Sequence, residues 1–339
     1  MNGSYTVAFF LFGVACGASG LKGPFTQDFV QFLASQDKYN ALTSLEYGIN
    51  GSFGGRLFNN QKVKREPVIF IHGNSDGALD NGNGLFSGGW NKPIEYFVNK
   101  GYTSAELYAL TWGDRNLANA GIRQHTCAHL LRIRSFIEAV LDYTDSGKVD
   151  IIAHSMGVTL SRQAVKGGRV YVNSDDFCDL GEPLREPLSA NVDTLLGIAG
   201  ANYGLCSCTN EIAQVVPACS FKLGFWAGDK CSSSEDNTLS NDVSLTCQTA
   251  SDSDGCGQRD YAYFLKRLNE DDVEEASVIM SIWSKGDEII GNGGLSWGVP
   301  TGLIPNSFDS LVFEDLKHEE VKSLTGRAQY NAVTKHSFA

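Results

Sequence analysis

The chain has 339 residues, of which 27 are basic and 39 acidic, so its formal net charge is −12 at pH 7. This balance argues against nucleic acid as a partner and against electrostatic docking on anionic lipid, because both need a basic face. Hydrophobic residues make up 42% of the sequence and no glycine period runs through it, which excludes a disordered or collagen-like chain. The length suits one large domain or two ordinary ones.

The N-terminus has the pattern of a secretory signal peptide. Residues 5–18 form an apolar run that is shorter than the about 20 residues of a membrane span, and small residues end it. We therefore expect cleavage of residues 1–20, a secreted mature chain of residues 21–339, and no stable membrane insertion. A retained N-terminal anchor is the alternative. The sequence Asn50-Gly51-Ser52 predicts a glycosylation site.

The nine cysteines also indicate an oxidising compartment. Cleavage removes one of them, and the eight that remain predict a disulfide framework. Six of the eight lie within residues 203–258, a polar stretch that we interpret as a disulfide-rich insertion in one domain. Cys206 and Cys208 are too close in sequence to pair with each other, whereas Cys127 and Cys178 are candidates to do so. No CxxC pair is present, so we expect no zinc and no other metal or cofactor.

Apolar runs alternate with amphipathic segments along the rest of the chain. Strands are predicted at 68–71, 107–111, 149–153, 194–199, 277–283 and 310–313, and helices at 93–100, 128–143 and 156–166. This alternation predicts an α/β fold, in which helices cover both faces of a mostly parallel sheet.

A candidate nucleophile, Ser155, lies between a predicted strand and a predicted helix. The sequence Ala153-His154-Ser155-Met156-Gly157 has the small-x-Ser-x-Gly pattern of a nucleophile elbow, where only small residues fit beside the serine. The N-terminus of the following helix favours developing negative charge. We predict that Ser155 is a catalytic nucleophile and that His154 points the wrong way to be its base.

Two histidines, His318 and His336, follow Ser155 in the chain. His318 comes just after the last predicted strand, where open α/β sheets gather their ligands, so it is the predicted base. His336 is three residues from the C-terminus, where chains usually fray. The remaining histidines are assigned structural positions: His72 orders a loop, and His125 and His129 lie on a helix surface.

The predicted acid is Asp287, which follows strand 277–283 on a sharp loop. There it can accept the Nδ1–H of His318 and fix the tautomer of the imidazole. Glu288 is an adjacent alternative. The acidic run 271–275 is interpreted as a solvated helix face.

Two backbone N–H groups are predicted to form an oxyanion hole. Asn74 follows His72-Gly73 at the end of the first strand, and Met156 follows the nucleophile. Each such donor lowers the barrier by about 3 kcal/mol.

These residues resemble the class 2 lipases, of the EstA/EstB type. The likeness rests on four separated blocks, at 66–74, 149–157, 196–202 and 281–287. It implies an α/β-hydrolase fold, hydrolysis of carboxylic esters or lipids, and a Ser155–Asp287–His318 triad with Asn74 and Met156 as oxyanion donors. Small members of the family lack the cysteine-rich stretch.

The function that follows is that of a secreted serine hydrolase of neutral esters, with acylglycerol lipids as substrates and an acyl-enzyme intermediate. An esterase or acyltransferase that acts on small non-lipid esters is the alternative on the same triad. A non-catalytic secreted binding protein on a hydrolase scaffold is the alternative from another class.

Overall fold

The computed structural model describes residues 21–43, 47–82, 84, 86–170, 186–228, 246–250 and 260–339. Its strands are β1 (Ser52–Phe53), β2 (Val68–Ile71), β3 (Leu107–Leu110), β4 (Val149–His154), β5 (Val192–Ile198), β6 (Val278–Ser284), β7 (Leu295–Ser296), β8 (Val299–Pro300) and β9 (Asp309–Phe313). Its α-helices are α1 (Gln27–Ser35), α2 (Asn91–Asn99), α3 (Cys127–Thr144), α4 (Met156–Lys166), α5 (Asn210–Val215), α6 (Tyr263–Glu270), α7 (His318–Ser323) and α8 (Gly326–Lys335).

Seven strands form one sheet in the order β1-β3-β2-β4-β5-β6-β9. Only the edge pair β1–β3 of this sheet is antiparallel among the described residues. The order reverses at β2, which pairs with β3 on one side and with β4 on the other. Loops that follow adjacent strands diverge at such a switch point and leave a crevice at the carboxyl edge of the sheet. The segments after β2 and β4, which contain Asn74 and Ser155, therefore border one crevice.

Both faces of the sheet are buried under helices. Ile69 and Ile151 pack with α1, α3, α4 and α6 in one core, whereas Phe70 and Ile152 pack with α2, α7 and α8 in another. Because side chains alternate between the faces, a strand buried on both sides is apolar at nearly every position. This explains the mostly apolar runs and confirms the predicted mostly parallel sheet with helices on both faces.

Disulfide bonds constrain the part of the insertion that the structure describes. Cys206 bonds to Cys247 and Cys208 bonds to Cys219, with Cα–Cα distances of 5.5 and 5.0 Å. The two neighbouring cysteines therefore have different partners, as predicted. Cys127 is also disulfide-bonded, but Cys178 lies outside the described residues, so that pairing stays a prediction.

The predicted signal peptide also lies outside the described residues. None of the helices that the structure describes is both long enough and apolar enough to cross a membrane.

The interpretation of the run 271–275 as a solvated helix face is wrong for the helix and for Glu275, although Asp271, Asp272 and Glu274 are exposed. Helix α6 ends at Glu270, and Glu275 is buried with a carboxylate oxygen 2.7 Å from Arg162 Nε. The chain crosses α4 here before it enters β6, so Glu275 meets the cations of that helix, including Lys166 at 3.6 Å. Arg162 also donates to the side-chain oxygen of Asn269 on α6.

Substitution of Arg162 by Met should destabilise the fold strongly. The carboxylate of Glu275 would stay buried without its guanidinium partner, which costs about 3 kcal/mol of unfolding free energy. Urea denaturation at neutral pH measures the loss. Asp272→Asn, at an exposed position of the same segment, is the control and should change stability by less than about 0.5 kcal/mol. Equal stabilities of the two variants would contradict the account.

Candidate active site

The turn from β4 into α4 places Ser155 in an unusual backbone conformation, with φ 54° and ψ −129°. Its neighbours have no room for side chains. A Cβ at Gly157 would lie 2.4 Å from the carbonyl oxygen of His72, and one at Gly73 would lie 2.7 Å from Ser155 Cβ. The loop after β2 is therefore pressed directly against the turn that carries Ser155. This is the geometry that the small-x-Ser-x-Gly pattern predicts.

Asp287 and His318 lie together at the same edge of the sheet. Asp287 Oδ2 is 2.7 Å from His318 Nδ1, and both side chains are buried. The other oxygen of the carboxylate accepts the backbone N–H groups of Ile289 and Ile290, each at 2.9 Å. These two donors fix the carboxylate, so that its remaining oxygen faces the imidazole.

The alternatives to these two residues lie elsewhere. Glu288 accepts the backbone N–H of His318 at 3.1 Å and does not reach the ring. His336 lies near the amino end of β5, where its Nε2 is 2.8 Å from Asp193 Oδ2 and its side chain is 42% exposed. Neither residue can therefore replace its predicted counterpart in this arrangement.

His154 connects helix α7, which begins with His318, to the turn that carries Ser155. It is the last residue of β4, directly before Ser155, and its Nε2–H donates to the carbonyl of His318 at 3.1 Å. The centroids of the two imidazole rings are 4.6 Å apart. Burial lowers the pKa of His154 well below its ordinary value. The contact thus joins the first turn of α7 to the residue directly before Ser155, and His154 itself stays neutral.

The loop after β2 carries Asn74 directly after Gly73, the residue that closely approaches Ser155. Met156 begins that helix, where a backbone N–H has no intrahelical acceptor. Asn74 is anchored through its side chain. Its Nδ2 donates to the carbonyl of Ala120 at 2.9 Å, and its Oδ1 accepts from Arg123 at 2.5 Å. The buried guanidinium of Arg123 also donates to the Ser75 hydroxyl at 2.7 Å.

His72 holds the start of this loop. Its Nδ1–H donates to the carbonyl of Gly73 at 2.7 Å, and its Nε2 accepts the backbone N–H of Trp112 at 3.0 Å. The imidazole of His72 and the indole of Trp112 stack with an interplanar angle of 5°. Burial lowers the pKa of His72 to about 3, so the ring is neutral and both hydrogen bonds are satisfied. These contacts fit the predicted loop-ordering role.

The placement of His125 on a helix surface is wrong. His125 precedes α3 and is fully buried, with Nδ1–H donated to the carbonyl of Leu223 at 2.7 Å and Nε2 2.7 Å from the Thr159 hydroxyl. The cysteine-rich segment supplies Leu223 and so covers this position. His129 is half-buried, and its ring meets Trp112 edge-on.

The sequence does not predict that Arg123 and Lys322 are buried cations near the site. Arg123 contacts residues 48 and 49 positions away in the chain, and Lys322 contacts Asp76 across 246 positions. Neither residue type nor spacing marks such long-range pairs.

One group of carboxylates among the described residues has metal-binding spacing. Oxygens of Glu66, Asp150 and Asp193 lie within 4.8 Å of one another at the amino edge of the sheet, opposite to Ser155. Burial raises the pKa of Asp150 well above its ordinary value, and Lys148 and His336 pair with Asp193. These contacts account for the close approach of the carboxylates.

The parallel sheet, the elbow after β4, the acid after β6 and the histidine after β9 together define an α/β-hydrolase fold. The chain belongs to the class 2 lipase family, whose model matches residues 65–331.

Several solved structures are similar to this chain. Lipase B of Aspergillus fumigatus has a TM-score of 0.45 and 15% identity, over 84% of this chain and 56% of that one. A monoacylglycerol lipase of Paleococcus ferrophilus has a TM-score of 0.42 and 15% identity, over 84% of this chain and 98% of that one. The α/β hydrolase domain-containing protein 10 of mouse has a TM-score of 0.38 and 15% identity, over 81% and 92%. The match thus spans little more than half the length of the Aspergillus lipase.

The burial of His125 should appear as a pH dependence of stability. Burial lowers the pKa of His125 to about 3, below the unfolded value of about 6.5, so the unfolded chain binds the proton more readily between these values. The free energy of unfolding therefore falls as pH decreases through this interval, by about 2 kcal/mol at about pH 5 for this residue.

His125→Asn should remove that part of the dependence in urea denaturation at about pH 7.5 and about pH 5. Thr159→Val is the matched control, because it loses the same contact but keeps the imidazole. An unchanged pH dependence in His125→Asn would show that this histidine does not resist protonation.

Proposed function

We propose that the protein is a secreted serine hydrolase that cleaves carboxylic esters of acylglycerol lipids through an acyl-enzyme on Ser155. Membership of the class 2 lipase family supports ester hydrolysis. The observation that carries the catalytic assignment is the 2.7 Å hydrogen bond between His318 and Asp287, at the edge of the sheet where the elbow projects Ser155.

His318 acts as the general base. Its Nδ1–H is donated to Asp287, so its Nε2 carries the lone pair that removes the proton of the Ser155 hydroxyl. The serine oxygen attacks the ester carbonyl and forms a tetrahedral intermediate. Asp287 stabilises the imidazolium that results, and its two backbone donors hold the carboxylate in position.

The oxyanion of the intermediate is stabilised by the backbone N–H groups of Asn74 and Met156. The dipole of α4 adds to this stabilisation because Met156 lies at its N-terminus. When the intermediate collapses, the bond to the alcohol breaks and the alcohol takes its proton from His318. Water, deprotonated by the same imidazole, then hydrolyses the acyl-enzyme and releases the acid. This chain's residues thus perform both half-reactions.

Two features support a neutral lipid ester as substrate. The net charge of −12 offers no attraction to anionic substrates, and the family is that of lipases.

Replacement of Ser155 by Ala should abolish hydrolysis of nitrophenyl esters, with a fall in kcat of at least about 10³-fold. Asp287→Asn should cost about as much, because it disturbs the tautomer of His318. The matched control is His336→Ala, which should retain wild-type activity. Equal rates for wild type and Ser155→Ala would contradict the mechanism.

Nitrophenyl esters of graded acyl length and emulsified triglyceride separate lipase from esterase. Activity on the emulsion that requires Ser155 supports the acylglycerol assignment. Activity confined to small soluble esters would instead favour the alternative substrate class.

Secretion is tested on the mature protein. We expect an N-terminus near residue 21 and no cysteine that iodoacetamide alkylates before reduction, since cleavage leaves an even number of cysteines. Mass spectrometry of the unreduced protein reports both. A retained N-terminal run with a free thiol would contradict the secretion proposal.

A further inference from the structure

Lys322 is a buried cation on the helix that begins with His318. Its Nζ lies 2.5 Å from Asp76 Oδ2 and 2.6 Å from Glu319 Oε2. The side chains of Lys322 and Asp76 are each 1% exposed. The ion pair thus joins α7 to a residue that is distant in sequence.

Asp76 belongs to the same loop as Asn74. Its backbone N–H donates to the carbonyl of Gly73 at 3.3 Å, which closes the turn that contains Asn74. Its other carboxylate oxygen accepts the N–H of Gly89 at 2.9 Å. The contacts of this one carboxylate therefore anchor the end of the turn that contains the proposed oxyanion donor.

Both partners are charged in the folded protein. Burial acts to raise the pKa of Asp76, but the charge and hydrogen bond of Lys322, the ring of His72 and the N–H of Gly89 together outweigh burial, so the pKa is lowered. Burial likewise opposes the charge of Lys322, whereas Asp76 and Glu319 raise its pKa. A charge pair at this depth contributes little net stability compared with packed apolar side chains of similar volume. What it supplies is a fixed separation between the two elements that carry it.

Helix α7 is then held at both ends of its short length. His318 at its start is bound to the elbow through His154, and Lys322 in its last turn is bound to the oxyanion loop through Asp76. We propose that Lys322 is a positioning residue, which sets the Asn74 N–H relative to His318 and Ser155 by holding Asp76. This inference rests on the proposed function.

The experiment separates positioning from stability by replacing both partners. In Lys322→Met/Asp76→Leu both members of the fully buried pair are replaced, and Glu319, which loses Lys322 as a partner, keeps contact with solvent because its side chain is 28% exposed. We therefore expect folding stability near that of wild type. The kcat for a nitrophenyl ester should fall about 10- to 100-fold with little change in KM, because a shift of about 1 Å in a catalytic group has an effect of this size.

The matched control is a second ion pair that is largely buried. Arg134 and Glu138 on α3 are 2.7 Å apart, with side chains 5% and 15% exposed. Arg134→Met/Glu138→Leu should keep the wild-type kcat. If Lys322 only stabilised the fold, both double variants would keep the wild-type kcat. A folded Lys322→Met/Asp76→Leu enzyme with wild-type kcat would therefore overturn the proposal.

Asp76→Asn covers the case in which the double variant does not fold. The amide keeps the volume of the side chain and an acceptor for Gly89, but removes the negative charge that holds Lys322. The same selective fall in kcat is expected, and a folded variant with wild-type kcat would overturn the proposal. Wild type and Ser155→Ala are assayed in parallel. An inactive wild type would refute the proposed function. If the wild type is active and the folded variants keep its kcat, only the positioning role of Lys322 is refuted.

Discussion

The positive φ of Ser155 is the constraint from which the rest of the site follows. A residue other than glycine rarely adopts this conformation, so the surroundings must impose it. The imposing contacts are tight: neither Gly73 nor Gly157 has room for a Cβ. A strained turn of this kind directs the serine hydroxyl out of the sheet edge and leaves the helix N-terminus beneath it.

The second requirement is that the loop after β2 stays in one place. At the start of the loop, His72 stacks on Trp112. In the middle of the loop, Arg123 donates hydrogen bonds to the side chains of Asn74 and Ser75. At the end of the loop, Lys322 forms an ion pair with Asp76. His72, Arg123 and Lys322 are buried, and their charge states follow from burial and pairing: the histidine is neutral and the cations have oxygen partners. Preorganised donors of this sort stabilise an oxyanion without reorganising during the reaction.

The sequence predicts the parts of the molecule that depend on local patterns. Helix α4 begins and ends at the predicted residues, and the six predicted strands lie within two residues of their predicted bounds, because a doubly covered parallel strand is a short apolar run with a clear stop. The sequence does not predict the two-residue strands β1, β7 and β8. What it misses depends on contacts between distant segments. His125 is buried against the distant residues Leu223 and Phe264, and Glu275 is buried where its segment meets Arg162. The ion pair of Lys322 and Asp76 is another such contact.

The central claim is that Ser155, His318 and the N–H groups of Asn74 and Met156 act on one tetrahedral centre. A crystal structure of the enzyme inactivated by an alkyl phosphonate ester tests it most directly, because the phosphonyl group imitates that centre. The account predicts a covalent bond to Ser155 Oγ and a phosphonyl oxygen about 2.7–3.1 Å from both N–H groups. It also predicts His318 Nε2 within hydrogen-bond reach of Ser155 Oγ. A phosphonate attached to another residue, or an oxygen that faces neither N–H, would contradict it.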